Sequence, residues 1–445
     1  MKFFRSGIIL ENRCMISQEE NDKYKDILNS VGIEDTEENA MSMFVKVQLL
    51  PPNDEWWTDP DTWVIRIGQN FLPDWFKRYR ELYLAEFRAE VKEWWKQHVL
   101  VNQKIDELTN GYYWLKRCKV GKLGNNVKVL CNDSSIGLMY GNSIVSEMYG
   151  NSTIGAMYHT SSVGAMYNNS IIGVMFHSSA VGKMWDSSII REMRGTSNVK
   201  EINGNSTVYM MKGNSIIHEM RDNSTIYEMV GNSTVGIMCL KSTIWRMRGA
   251  STVRTMCDQS IIEKMYDNAI VGEMLEFSII CEMWNNNAVR EMRDNSIIRK
   301  MYGKSTVDKM SGNSTIGVMK NNSIVKKMYD NSIVRAMFDS SAIRAMYDNS
   351  IACNHHEEVI HISKNTKYIV KTHESFDTIK EKNQTNTDRI KCVTIEELTK
   401  LLHNNGNLAD AGNPKFEIWI KEEPIIIDDS FDNILEWLRV VSKKG

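Results

Sequence analysis

The segment His355-His356-Glu357-Glu358-Val359-Ile360-His361 carries metal-ligating residue types, and their spacing decides whether they could act together. Zinc held on one helical face needs two histidines four apart with a glutamate beside the first. Here His356 and His361 are five apart, which turns them about 140° from each other on a helix and onto opposite faces of a strand. The spacing argues for a solvated junction and against a metal site. The sequence also has no phosphate loop, dinucleotide fingerprint, GxSxG elbow or paired catalytic cysteine and histidine, so neither a cofactor nor an enzymatic activity is expected.

Three other groups recur with a fixed spacing. A methionine returns every nine residues, and a thioether beside Ile or Val is explained by packing rather than by soft-metal transport. The residue after that methionine is aromatic in six successive cases, Tyr140, Tyr149, Tyr158, Tyr167, Phe176 and Trp185, and again at Tyr329, Phe338 and Tyr347. Such rings either stack along a sheet edge or form a platform for a partner. Between residues 290 and 344 there are eleven Lys or Arg against five acids. Arg299, Lys300, Lys326, Lys327, Arg335 and Arg344 among them are candidates for contact with phosphate or an acidic protein, the alternative being a solvated face.

These residues are positioned by a repeat. From Asp133 onward the chain reads as 24 consecutive nine-residue units such as GNSTIGAMY, DNSTIYEMV and DNSIIRKMY. Ile or Val fills every ninth position from Ile136 to Ile343. Met follows three residues later from Met139 to Met346, with Ile202 the one exception, and Ser precedes by two from Ser134 to Ser341 except at Ala269 and Asn287. A helix cannot carry this pattern, because nine residues turn it by about 900° and successive Ile/Val positions would face opposite ways. β-Branched pairs next to Gly-Asn, Asp-Asn or Asn-Asn predict a strand and a corner, repeated. Within the strand Ser and Ile/Val point inward, the residue between them points outward, and Met re-enters the interior beyond a corner. The Asn before each Ser is placed to stack or to cap the turn.

Positions 135, 153, 171 and onward fall into blocks of like residues at a separation of 18. That favours two repeats per coil and about twelve coils, with Cys239 and Cys257 as stacked neighbours. The small inward residue two before an apolar one resembles the coils of pentapeptide-repeat proteins. That resemblance covers the middle half of the chain and implies a four-sided solenoid geometry without an activity. Calcium-binding nonapeptide repeats share only the number nine, since the GGxGxDxUx motif is absent.

The fold class expected is mainly β: a parallel β-solenoid over 111–352, an α-containing Trp-rich cap over 1–110, and a small α/β module over 353–445. Trp63–Ile67 alternates like a strand, and Pro73 opens a helix from Asp74 to His98 whose apolar face docks on the cap or meets a partner. Residues Gly111–Leu130 read as a degenerate first coil, with Val127 and Leu130 in register. The C-terminal module is expected to hold strands near Lys367–Val370, Phe416–Ile420 and Ile425–Ile427, and helices near Ile395–Leu402 and Phe431–Val441. End modules are what an open solenoid needs to cover its terminal backbone groups, and one of them is a route to a homodimer.

A net charge of −2, with 25% charged and 42% hydrophobic residues, excludes a general nucleic-acid binder and an acidic DNA mimic, so electrostatic recognition must be local. No run of 18 apolar residues predicts a membrane span, and eight scattered cysteines without CxxC spacing fit reduced thiols in a cytoplasm. The expectation is a non-enzymatic, cytoplasmic scaffold that binds another protein. Asn-, Ile- and Lys-rich composition with nearly uncorrupted repeats fits an AT-rich bacterial or phage genome, a setting in which such a scaffold would inhibit a host or defence protein. The alternatives are a structural rod or fibre component and a protein that contacts nucleic acid through the basic 290–344 surface.

Overall fold

The computed structural model describes residues 4–16, 24–354, 368–371, 416–420 and 423–427. The histidine-rich segment 355–361 and the helices expected near 395–402 and 431–441 lie outside the described residues. Two compact units follow one another along the chain, Met1–Tyr227 and Glu228–Gly445. The fold is mainly β, and each unit contains a stretch of parallel β-solenoid with coils of 18 residues.

The first unit begins with an antiparallel sheet in the order Arg13–Ile16, Arg5–Leu10, Phe44–Leu50, Val64–Ile67. The helix Arg80–His98 lies on it and buries Phe87, Val91 and Trp94, a spacing of four and three that keeps them on one face. The single helix expected from Asp74 is two, Asp74–Arg78 and Arg80–His98, because Tyr79 leaves helical geometry at φ −126°, ψ 33°. Trp56, Trp63 and Trp94 are buried with Trp114 of strand Gly111–Lys116, and Trp114 meets Trp56 and Trp94 edge to face at 5.3 and 5.2 Å. These rings fill the core shared by the helix and the first coil, so Phe87, Val91 and Trp94 face inward while Tyr79 stays 55% exposed.

The parallel ladder starts directly after this helix, where Val99–Val101 pairs with Trp114–Lys116, ahead of the coil expected to open at Gly111. Its early coils are shorter than the rest: Lys104 pairs with Lys119, Lys119 with Ser135 and Lys128 with Ile144. Consequently Val129, not Val127, lies opposite Val145, and Cys131, not Leu130, opposite Met148. The nine-residue step does not hold there, because these turns contain fewer residues. From Ser135 onward the step is 18, with Ile136 opposite Ile154 and Met139 opposite Met157. In the second unit Val235 pairs with Val253 and Ile244 with Ile262 in the same way. Farther on, Tyr368–Lys371 pairs with Ile351–Asn354, and Phe416–Ile420 forms an antiparallel pair with Glu423–Ile427, where strands are expected.

The interior is the repeat's strict part. Every Ile/Val from Ile136 to Ile343 and every Met from Met139 to Met346, with Ile202 among them, is buried. Residues three apart point to opposite faces of a regular strand, so the chain must bend between Ile136 and Met139. The ladder skips Gly137 and Gly155 at that bend. The serines are buried too, and Ser152, Ser170, Ser305, Ser341 and Ser350 donate to the carbonyl three residues back at 2.7–2.9 Å.

At each corner the first turn residue has a positive φ, for example Gly312 at 67° and Asp330 at 57°, a conformation that Gly, Asn and Asp adopt with least strain. At many of these corners an Asp or Asn side chain also accepts from the backbone N–H one coil earlier: Gly150 donates to Asn168, Gly204 to Asp222 and Gly312 to Asp330. The Asn residues two before the strand form amide ladders, as from Asn349 to Asn331 to Asn313.

Candidate binding surfaces

Two repeats per coil send alternate repeats to opposite sheets, and this sorts the candidate residues. The six aromatic residues after Met form two ladders at different corners of the first unit. Tyr140, Tyr158 and Phe176 stack at 5.0 and 4.9 Å with planes 6° apart, while Tyr149 and Tyr167 stack at 4.9 Å with Trp185 next in order. All six are half-buried, so each ladder offers ring edges rather than a broad flat platform. Tyr149 packs on the N-terminal core and donates its hydroxyl to Glu147. Burial, reinforced by that carboxylate, pushes its phenol well above the usual range.

The basic residues of the second unit divide in the same way. Arg299, Lys300 and Arg335 belong to strands Ile297–Met301 and Ile333–Met337 of one sheet; Lys326, Lys327 and Arg344 belong to Ile324–Met328 and Ala342–Met346 of the other. Several positive charges are answered between coils. Lys326 meets Asp308 at 2.8 Å and Lys300 lies 3.8 Å from Glu282. Glu291 is bracketed by Arg293 and Lys309, each at 2.8 Å, and Arg293 foremost holds its carboxyl down to about 2. The run that reads as one cationic surface in the sequence is two partly neutralised faces.

A surface that sequence reasoning missed lies on one sheet of the first unit, in the outward column that follows the buried Ile/Val. Gly121, Gly137, Gly155 and Gly173 occupy it on successive coils and floor a shallow groove of about 470 Å³. A Cβ on Gly155 would come within 2.5 Å of the Gly137 carbonyl oxygen, so the floor is bare backbone. The exposed Arg191 closes the groove. Beyond it the column continues as Tyr209 and Tyr227, which stack at 5.0 Å with planes 7° apart and stay 47% and 44% exposed. They are thus more open than any of the six aromatic residues after Met. Their signal in the sequence is two tyrosines 18 apart directly after the inward Val208 and Ile226, three places before the position that follows Met.

Cys239 and Cys257 stack as the coil length requires, with Cα atoms 4.9 Å apart, and are joined as a disulfide rather than left as thiols. Stacking of adjacent strands brings the two into the separation range that such a bond spans. No known protein family, curated protein or solved structure matches the chain. Among the described residues no helix is long and apolar enough to cross a membrane.

Proposed function

We propose that this protein is a non-enzymatic scaffold that binds another protein through the glycine-floored groove, Arg191 and the Tyr209/Tyr227 pair. The observation that carries this reading is the separation of duties within each repeat. Ser, Ile/Val and Met are buried throughout and specify the coil, while the outward column varies from Gly to Arg to Tyr without disturbing it. Tyr and Arg are, with Trp, the residues most enriched at hot spots of protein interfaces, and a backbone floor admits an extended segment with its own hydrogen-bonding groups. The separation of the basic residues onto two sheets, with Lys326 and Lys300 already facing acids, favours a protein over nucleic acid, which needs a continuous array of unpaired charge. Inhibition of a host or phage-defence protein in the cytoplasm is the specific role that composition favours. The likeness to pentapeptide-repeat solenoids supports the architecture alone.

Affinity capture of the tagged full chain from its native cells tests the proposal. A stoichiometric protein partner, lost when Arg191→Glu, Tyr209→Ser and Tyr227→Ser are combined and kept with Lys326→Glu, supports it. Salt-sensitive recovery of nucleic acid alone, or high-order self-assembly without a partner as a structural rod would show, overturns it.

A further inference from the structure

Cys239 and Cys257 stand at the same place in two successive coils of the second unit, directly after Met238 and Met256, which pair in register. Asp258 follows Cys257 at the left-handed corner position, φ 55°. One sulfur from each cysteine and a carboxylate oxygen of Asp258 all lie within 4.8 Å of one another. All three residues are half-exposed, while Met238 and Met256 beside them are buried. The carboxylate is held in place because it accepts the backbone N–H of Leu240 at 3.0 Å.

We infer that, in the reduced chain, these three side chains form a site for one thiophilic divalent cation of the zinc class. Zinc takes thiolates at about 2.3 Å and carboxylate oxygens at about 2.0–2.2 Å, so two sulfurs on one tetrahedral ion lie about 3.8 Å apart. Adjacent strands space stacked residues at about 4.8 Å, and a small turn of each cysteine side chain closes the difference. Two thiolates and one carboxylate leave a fourth position, and half-exposure lets water take it. The donor set is soft and anionic, which selects zinc or cadmium over magnesium or calcium.

The disulfide and the metal site exclude each other because both use the same two sulfurs. An external dithiol or two monothiols give up two protons and two electrons on becoming a disulfide. The Cys239–Cys257 bond takes these up and becomes two thiols. The incoming cation then displaces two protons and binds the two thiolates with the Asp258 carboxylate. Buried Cys118 and Cys131 are unsuited to this chemistry, since burial raises both thiols.

The experiment is a Co²⁺ titration of the full chain, reduced with a phosphine in place of a thiol, followed by near-ultraviolet absorption. One equivalent should produce a thiolate-to-cobalt charge-transfer band that Zn²⁺ abolishes. Cys239→Ser and Cys257→Ser should each remove the band, Cys281→Ser should keep it, and Asp258→Asn should weaken affinity by about tenfold or more. Circular dichroism of the cobalt-free variants should match the parent, because these side chains lie outside the solenoid interior. The oxidised chain should bind no Co²⁺. Absence of the band in the reduced parent, its survival in the double Cys239→Ser/Cys257→Ser variant, or an unchanged band in the oxidised chain overturns the inference.

Discussion

Ala269 and Asn287 lie one coil apart in the serine column, both buried, and the side chain of the second bonds the backbone of the first. Asn287 Oδ1 accepts the backbone N–H of Ala269 at 3.0 Å, and Asn287 Nδ2 donates to the Trp284 backbone carbonyl at 2.6 Å. The two departures from serine in the array are therefore one coupled change. Asn287→Ser alone should cost about 1–3 kcal/mol through lost hydrogen bonds and a void. Ala269→Ser alone should cost about 1–3 kcal/mol through crowding. The double variant restores the pattern of neighbouring coils and should recover most of both losses, a coupling of about 1–3 kcal/mol. Chemical denaturation of the four proteins measures it, and additive losses would contradict the coupling.

Asp330 combines a left-handed backbone with an oxygen that accepts from Gly312 N at 2.9 Å. Asp330→Gly keeps the backbone and loses the acceptor, for about 1 kcal/mol. Asp330→Ala loses the acceptor and also places a Cβ in a strained conformation, which adds about 1 kcal/mol. The order Asp, then Gly, then Ala should appear in thermal melts, and amide exchange should quicken at Gly312 in both variants. Equal stability of the Gly and Ala variants would show that φ carries no cost here.

Glu291 gives the acid limb of stability a definite sign. Arg293 and then Lys309 lower its carboxyl to about 2 in the folded chain, below the unfolded value of about 4.3. A depressed folded value contributes stability that is fully present above the unfolded pKa and is lost as pH falls through the folded one. The parent should lose stability between about pH 5 and pH 2, and Glu291→Gln should lose correspondingly less over that window. Parallel curves from denaturant titrations at stepped pH would remove Glu291 from the account.

Tyr158 and Tyr209 separate stability from recognition. Tyr158 is half-buried between Tyr140 and Phe176, and Tyr158→Ala should cost about 1–3 kcal/mol for two stacking contacts. Tyr209 is 47% exposed, and Tyr209→Ser should cost about 1 kcal/mol or less while weakening the protein partner by tenfold or more, at about 1.4 kcal/mol per decade. Melting curves and partner titration on both variants check the split. A Tyr209→Ser protein that binds its partner as the parent does would move the interface elsewhere.

Much of the coil was legible because its constraints are local. Ser134, Ile136 and Met139 repeat without a slip; alternation along a strand puts Ser134 and Ile136 inside, and a corner brings Met139 back to them. The blocks of like residues 18 apart already pointed to two repeats per coil, and the Cys239–Cys257 contact agrees. Val127 and Leu130 fall out of register in the first coils because turn length there departs from the repeat, and a period cannot report its own interruption. The helix break at Tyr79 had no strong breaker to announce it. The surface was harder to read, since outward residues repeat only when they stack. Tyr149 and Tyr158 look alike in sequence, yet stand in different ladders.

The nine-residue period by itself determined the strand, the corner, the composition of the interior and the exclusion of a helical fold, because all of these follow from which way a side chain points along a few bonds. Only the tertiary structure decided which surface residues are neighbours. Closing a coil after two repeats brings Gly173, Arg191, Tyr209 and Tyr227 into one column of one sheet. It also parts Arg335 from Arg344 onto different sheets, though they are closer in sequence than the residues that stack 18 apart. Hydrogen bonds between residues 18 apart set that closure, and they are long-range interactions that no single repeat contains.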